Sequence, residues 1–113
     1  MIWYENLYIG ESIPKKNGKI KRLKWKIDHN AGLLNIYIIV LCRCGDNLLE
    51  IIPSKELLQK AYPKKGLFVV GIARGYDEAL QTAAGIVIDV YQHTGGFQVE
   101  KYLLRNTKAG DSG

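Results

Sequence analysis

Two kinds of side chain in this sequence could do chemistry: a closely spaced pair of thiols and a run of cations around an indole. Cys42 and Cys44 form a C-x-C pair inside an apolar run. On a strand both would point to the same face with Cα atoms about 6.6–7 Å apart. That is the limit of disulfide reach, so a bridge there would be strained. Two thiolates do not complete a zinc site, and the other nitrogen ligands are only His29 and His93. A redox or nucleophilic role for the pair stays open beside the plainer reading of two buried or half-buried thiols.

The cations are more pronounced. Lys15, Lys16, Lys19, Lys21, Arg22, Lys24 and Lys26 are seven of the 16 basic residues, and no acid lies between Glu11 and Asp28. The other nine basic residues face eleven acids, so the net charge of +5 belongs to this one segment. Trp25 is interleaved with the lysines. An indole can stack on a base while the cations neutralise phosphates. Three readings stand side by side: nucleic-acid binding, an acidic protein partner, and the solvated face of an amphipathic helix. A membrane surface is not expected, because the apolar face of Ile20, Leu23 and Ile27 is narrow.

Other motifs are weaker. Gly71-Ile72-Ala73-Arg74-Gly75 precedes a helical pattern and resembles a phosphate-binding loop in position. It fits neither the dinucleotide nor the P-loop pattern, and Asp77 and Glu78 would repel a phosphate there. Gly110-Asp111-Ser112-Gly113 spells a protease nucleophile string at the end of a polar segment, with no positioned base or oxyanion hole. No pair of acids and no Ser/His/Asp set has active-site spacing. No catalytic residue, cofactor or metal site is expected. His29 and His93 read as capping or surface residues.

The elements that must position these groups follow from periodicity. Trp3–Gly10 can form a strand. Lys19–His29 fits helical spacing through Ile20, Leu23 and Ile27, with Asn30-Ala31-Gly32 as a C-cap, although Leu23, Trp25 and Ile27 also alternate as a strand would. Asn35–Cys44 is a β-branched apolar run and Leu48–Ile52 a returning strand. Ser54 caps a short helix over 55–62 that Pro63 stops. Leu67–Ala73 reads as a buried strand, Tyr76–Thr94 as a helix of about 28 Å, and Phe97–Leu104 as an edge strand. Residues 105–113 read as a polar, disordered tail after a single domain over 1–104.

The helix over 76–94 is apolar around well over half its circumference, whereas a surface helix needs a stripe of only about 100° or somewhat more. A second element or a second subunit is therefore expected to cover it.

At 113 residues, 47% apolar and 24% charged, the composition is that of one globular domain. No apolar run is long enough to span a membrane. The N-terminus lacks the regions of a signal peptide, so the cytosol is the expected compartment.

Leu48-Leu49-Glu50-Ile51-Ile52-Pro53, Leu57-Leu58-Gln59-Lys60 and Val70–Leu80 together resemble a group of short bacterial proteins to which no activity attaches. The resemblance runs over about residues 7–104. It implies a small bacterial cytosolic protein and carries no cofactor or site residue onto this chain.

Taken together, these readings predict an α+β domain: a mixed sheet of four or five strands with helices on one face. A ferredoxin-like arrangement is one way to assemble them, and the 67–104 unit would supply a right-handed crossover. The leading functional expectation is a non-enzymatic interaction protein acting as a homodimer. A nucleic-acid-binding module using segment 15–26, and a small enzyme with a site between subunits using Cys42, Cys44 or His93, are the alternatives.

Overall fold

The computed structural model describes residues 1–29, 33–42, 48–58 and 67–105. Four strands form one mixed sheet: β1 (Ile2–Ile9), β2 (Ile36–Cys42), β3 (Leu48–Pro53) and β4 (Phe68–Arg74). Their spatial order is β1-β4-β2-β3. β1 runs parallel to β4, and β2 is antiparallel to both β4 and β3. Among the described residues three α-helices complete the fold: α1 (Asn17–Asp28), α2 (Tyr76–Thr94) and α3 (Val99–Arg105). The α+β class and the mixed four-stranded sheet are as the sequence led us to expect.

The helices do not share one face of the sheet. Ile36, Ile38 and Val40 of β2 point into a core with Ile27 of α1, Ile52 and Leu57. Ile39 and Leu41, the alternate residues, point into a second core with Ala79, Ile86 and Val90 of α2 and Val99 and Leu103 of α3. The expected one-sided cover is thus corrected to a sheet with α1 on one side and α2 with α3 on the other. A ferredoxin-like assembly keeps its helices on one face, and the fold departs from it in this respect. The cause is visible in β4, where every residue from Phe68 to Ala73 is buried. A strand buried on both sides needs a cover on both sides.

The second correction concerns 97–104, expected as an edge strand. Residues 99–105 are helical, and the last element packs on α2 instead of joining the sheet. Val99 and Leu103, spaced i and i+4, point to one side of a helix as readily as of a strand. The crossover expected for the 67–104 unit falls with that strand.

Elsewhere the boundaries follow local chemistry. α2 begins after Gly75, its N-cap at φ 86°, and ends at Gly95, whose left-handed φ of 75° lets its N–H bond the Tyr91 carbonyl. A 3-10 turn over Ser54–Leu58 stands where a helix over 55–62 was expected; residues 59–62 lie outside the described residues. The tail expected from residue 105 also falls largely outside them: Arg105 ends α3, and 106–113 are not described.

The β2–β4 register slips between Ile39 and Val40, where β4 carries an extra residue. Gly71 sits at this bulge. A Cβ there would lie 2.9 Å from Ile39 Cδ1 and 3.2 Å from the Tyr8 carbonyl oxygen, so the central strand needs the missing side chain to let β1 and β2 approach. Among the described residues no helix is long and apolar enough to cross a membrane.

Candidate functional site

α1 packs through a narrow stripe: Ile27 is buried, and Ile20 and Leu23 are partly buried against the core. At 3.6 residues per turn, Trp25 falls on the opposite side. It is 59% exposed. Lys21 and Arg22, one turn earlier, share this outward side and are exposed.

The indole is held in place. The His29 ring stacks on Trp25 with centroids 4.0 Å apart and planes 18° from parallel. The Trp25 carbonyl accepts from His29 Nδ1 at 2.8 Å and from the His29 backbone N–H at 3.0 Å. A carbonyl only accepts, so Nδ1 carries the proton. His29 closes the C-terminus of α1, in line with the capping role expected for it.

Trp3 of β1 lies on the other side of the helix. Its Nε1 donates to Asp28 Oδ2 at 3.1 Å, and Lys24 Nζ stands 5.7 Å from its ring centroid. The single acid of α1 is thereby tied to β1.

Two open grooves flank the helix. One, about 480 Å³, separates it from β1 and is lined by Lys15, Lys21 and Lys24 beside Asn6 and Glu5. The other, about 390 Å³, is lined by Lys19, Arg22 and Lys26 with Leu33 and Leu34. The sequence-predicted cations are therefore brought to one element but distributed around it, three to each groove, with Lys16 at the N-cap and Trp25 on the ridge between.

Arg74, which the sequence reading left in a turn, joins the second groove from the end of β4. Its Nη1 donates to the Ser12 carbonyl at 3.4 Å. Nothing in the spacing of 15–26 points to it; only the sheet order brings it there.

Gly71–Arg74 belong to β4, so the turn expected there shrinks to the Arg74–Gly75 junction with α2; that junction holds an anion, and the anion is the protein's own. Glu78 Oε2 accepts the Arg74 backbone N–H at 2.7 Å and the Ser12 hydroxyl at 3.0 Å, while Oε1 accepts the Ser12 N–H at 2.9 Å. Burial alone would push this carboxyl up. The hydrogen bonds from Arg74 and Ser12, aided by the Arg74 charge, outweigh that and hold it below the usual carboxylate range. A phosphate would have to displace a carboxylate already bound.

On the side of the sheet opposite α1, which also carries Glu78, Tyr8 Oη donates to Asp89 Oδ2 at 2.5 Å, and Asp89 Oδ1 stands 3.3 Å from His93 Nδ1. Burial, then the Asp89 hydrogen bond and charge, pushes the Tyr8 phenol well above its ordinary range. The phenol stays protonated at neutral pH and does not serve as a base. His93 caps its own helix through the Asp89 carbonyl, 2.8 Å away. Cys42 is partly buried at the end of β2, opposite Leu48; Cys44 lies outside the described residues. Among the described residues no three His, Cys, Asp or Glu side chains gather as metal ligands would.

No protein-family model matches this chain, and neither a curated protein nor a solved structure matches it.

Proposed function

We propose that this protein is a non-enzymatic binding module that takes single-stranded nucleic acid across the outer side of α1. The observation that carries the reading is Trp25. Lysines on the wet side of an amphipathic helix need no ligand to explain them, but a large indole at the centre of that side does. Solvent exposure of an aromatic surface costs free energy that packing would recover. Stacked against His29 and flanked by Lys21 and Arg22, the ring is a platform for a base, with cations placed for the adjoining phosphates. Lys19, Lys26 and Arg74 extend the positive surface along one groove and Lys15 and Lys24 along the other. A duplex offers no free base faces, so the indole favours a single strand. The proposed setting is a bacterial cytosol, as the resemblance over 7–104 implies.

Fluorescence anisotropy with a labelled single-stranded oligonucleotide at low salt tests this. Binding should weaken by about 5- to 150-fold in Trp25→Ala, the loss of one stacked base, and disappear when Lys21, Arg22, Lys24 and Lys26 are changed to Glu. No binding by the wild type, or binding that survives the charge reversal, rejects the proposal. Displacement of the oligonucleotide only by an acidic polypeptide would favour an acidic protein partner.

A further inference from the structure

α2 turns Ala79, Ile86 and Val90 into the core, yet its outer side is not polar. Tyr76 is 52% exposed, Leu80 46%, Ile88 56% and Tyr91 50%. Ala84 between them is also exposed. Phe97, 62% exposed, stacks on Tyr91 with centroids 5.1 Å apart and widens the stripe at its C-terminal end. α3 covers α2 through Val99 and Leu103 and leaves this stripe open.

The order of sizes along the stripe identifies what covers it. From Tyr76 through Leu80, Ala84 and Ile88 to Tyr91 the side chains run large, medium, small, medium, large. The sequence of sizes reads the same in both directions. An antiparallel copy of the helix, centred on Ala84, would set Leu80 against the partner's Ile88 and Tyr76 near the partner's Tyr91. A two-fold interface requires this kind of self-complementarity, in which each residue meets the counterpart that meets it in return.

The area is sufficient. Covering the exposed parts of the four large side chains and Phe97 would remove roughly 500 Å² per copy, judged from the 150–250 Å² that a large aromatic presents. A pair then buries about 1,000 Å², the lower bound of a specific interface.

We infer that two copies of this protein pair through α2 about a two-fold axis near Ala84. The pairing is independent of nucleic-acid binding. It uses the opposite face of the sheet from α1, so the two basic helices of a pair face outward on opposite sides.

Sedimentation equilibrium of the full chain at about 100 μM tests the pairing, since a dimer is concentration-dependent. The wild type should give twice the 12.7 kDa chain mass. Ile88→Glu and Leu80→Glu each place a charge in the stripe; both should be monomers with unchanged helical circular dichroism. Trp25→Ala should remain a dimer. A monomeric wild type, a dimer that persists in both α2 variants, or a larger assembly overturns the inference.

Discussion

Glu78 and Ser12, 66 residues apart, are joined by two hydrogen bonds to one carboxylate, from the Ser12 N–H at 2.9 Å and its hydroxyl at 3.0 Å. With the Arg74 N–H as a third donor, the side chain ties the turn after β1 to the start of α2. The carboxyl titrates below its usual range in the folded protein. Its contribution is therefore fully present above the unfolded glutamate value of about 4.3 and is lost as pH falls through the lower folded value. Thermal unfolding across pH should show wild type more stable than Glu78→Gln at neutral pH, by about 1 kcal/mol for this exposed cluster. The two curves should converge in acid. A gap that is constant with pH would show that the ionised form is not what the cluster needs.

Gly10 closes the same cluster by its lack of a side chain. A Cβ there would lie 2.2 Å from Glu78 Oε2. The carboxylate can swing away only by giving up its donors. Gly10→Ala should therefore cost about what Glu78→Ala costs, and the double variant little more than either, a coupling that a double-mutant cycle reads directly. Additive losses would show that the two residues act separately.

Tyr8 and Asp89 tie β1 to α2 further along the same face of the sheet. Tyr8→Phe should cost about 1–2 kcal/mol by urea unfolding at neutral pH, since Asp89 loses its donor. The raised phenol value means this stability is complete below the unfolded tyrosine value of about 10 and is lost as pH rises toward the folded value. In a native-state alkaline titration, the difference between wild type and Tyr8→Phe should show no phenolate absorbance until well past the ordinary range. Phenolate appearing near pH 10 would mean the bond is absent in solution.

If the outer side of α1 binds nucleic acid as proposed, salt dependence reports how many cations engage. Each neutralised phosphate of a single strand contributes a slope of about −0.7 in log affinity against log salt. The three segment cations of one groove give a slope of about −2, and all seven cations of 15–26 give about −5. Arg74→Ala should flatten the slope by less than about one, without changing sequence preference. A slope near zero would be incompatible with an electrostatic interface.

Leu103 is fully buried between α3 and the core shared with α2. Leu103→Ala should cost about 2–5 kcal/mol, the usual loss for a truncated core leucine. A loss under about 1 kcal/mol, as for a solvent-facing residue, would mean that 99–105 does not pack as a helix on α2.

Much of this fold is written locally. α2 is bracketed by two glycines that adopt positive φ, and its acids Asp77 and Glu78 sit at the positive end of its dipole, so both ends are legible from residue type. β2 and β4 are continuous apolar runs, which carry their own message of burial on both faces. That message, followed through, requires helices on both sides; it does not say which helix takes which side, because α1 has an apolar stripe that would fit either. The last element was obscured by its brevity. In seven residues the apolar pair Val99 and Leu103 fits either period, and only its docking onto α2 decides between them.

The candidate site divides in the same way. The cations and Trp25 are legible because they are contiguous. Arg74 is not, because the pairing of β1 with β4 alone brings it beside Ser12 and the second groove. The anion held at the junction of β4 and α2 was half legible: the acids of the helix start argued against a phosphate, but that Glu78 itself fills the junction depends on its rotamer and on Ser12.

The sheet order has a kinetic consequence. β2 and β3 are joined by a short connection and can zip early, whereas β1 has only β4 as a neighbour, and Ile2 pairs with Phe68. Closing that long loop is slow relative to hairpin formation. The first strand of the chain is thus among the last to dock, and until it does, one edge of β4, the most thoroughly buried strand of the native sheet, stands open to any other extended chain.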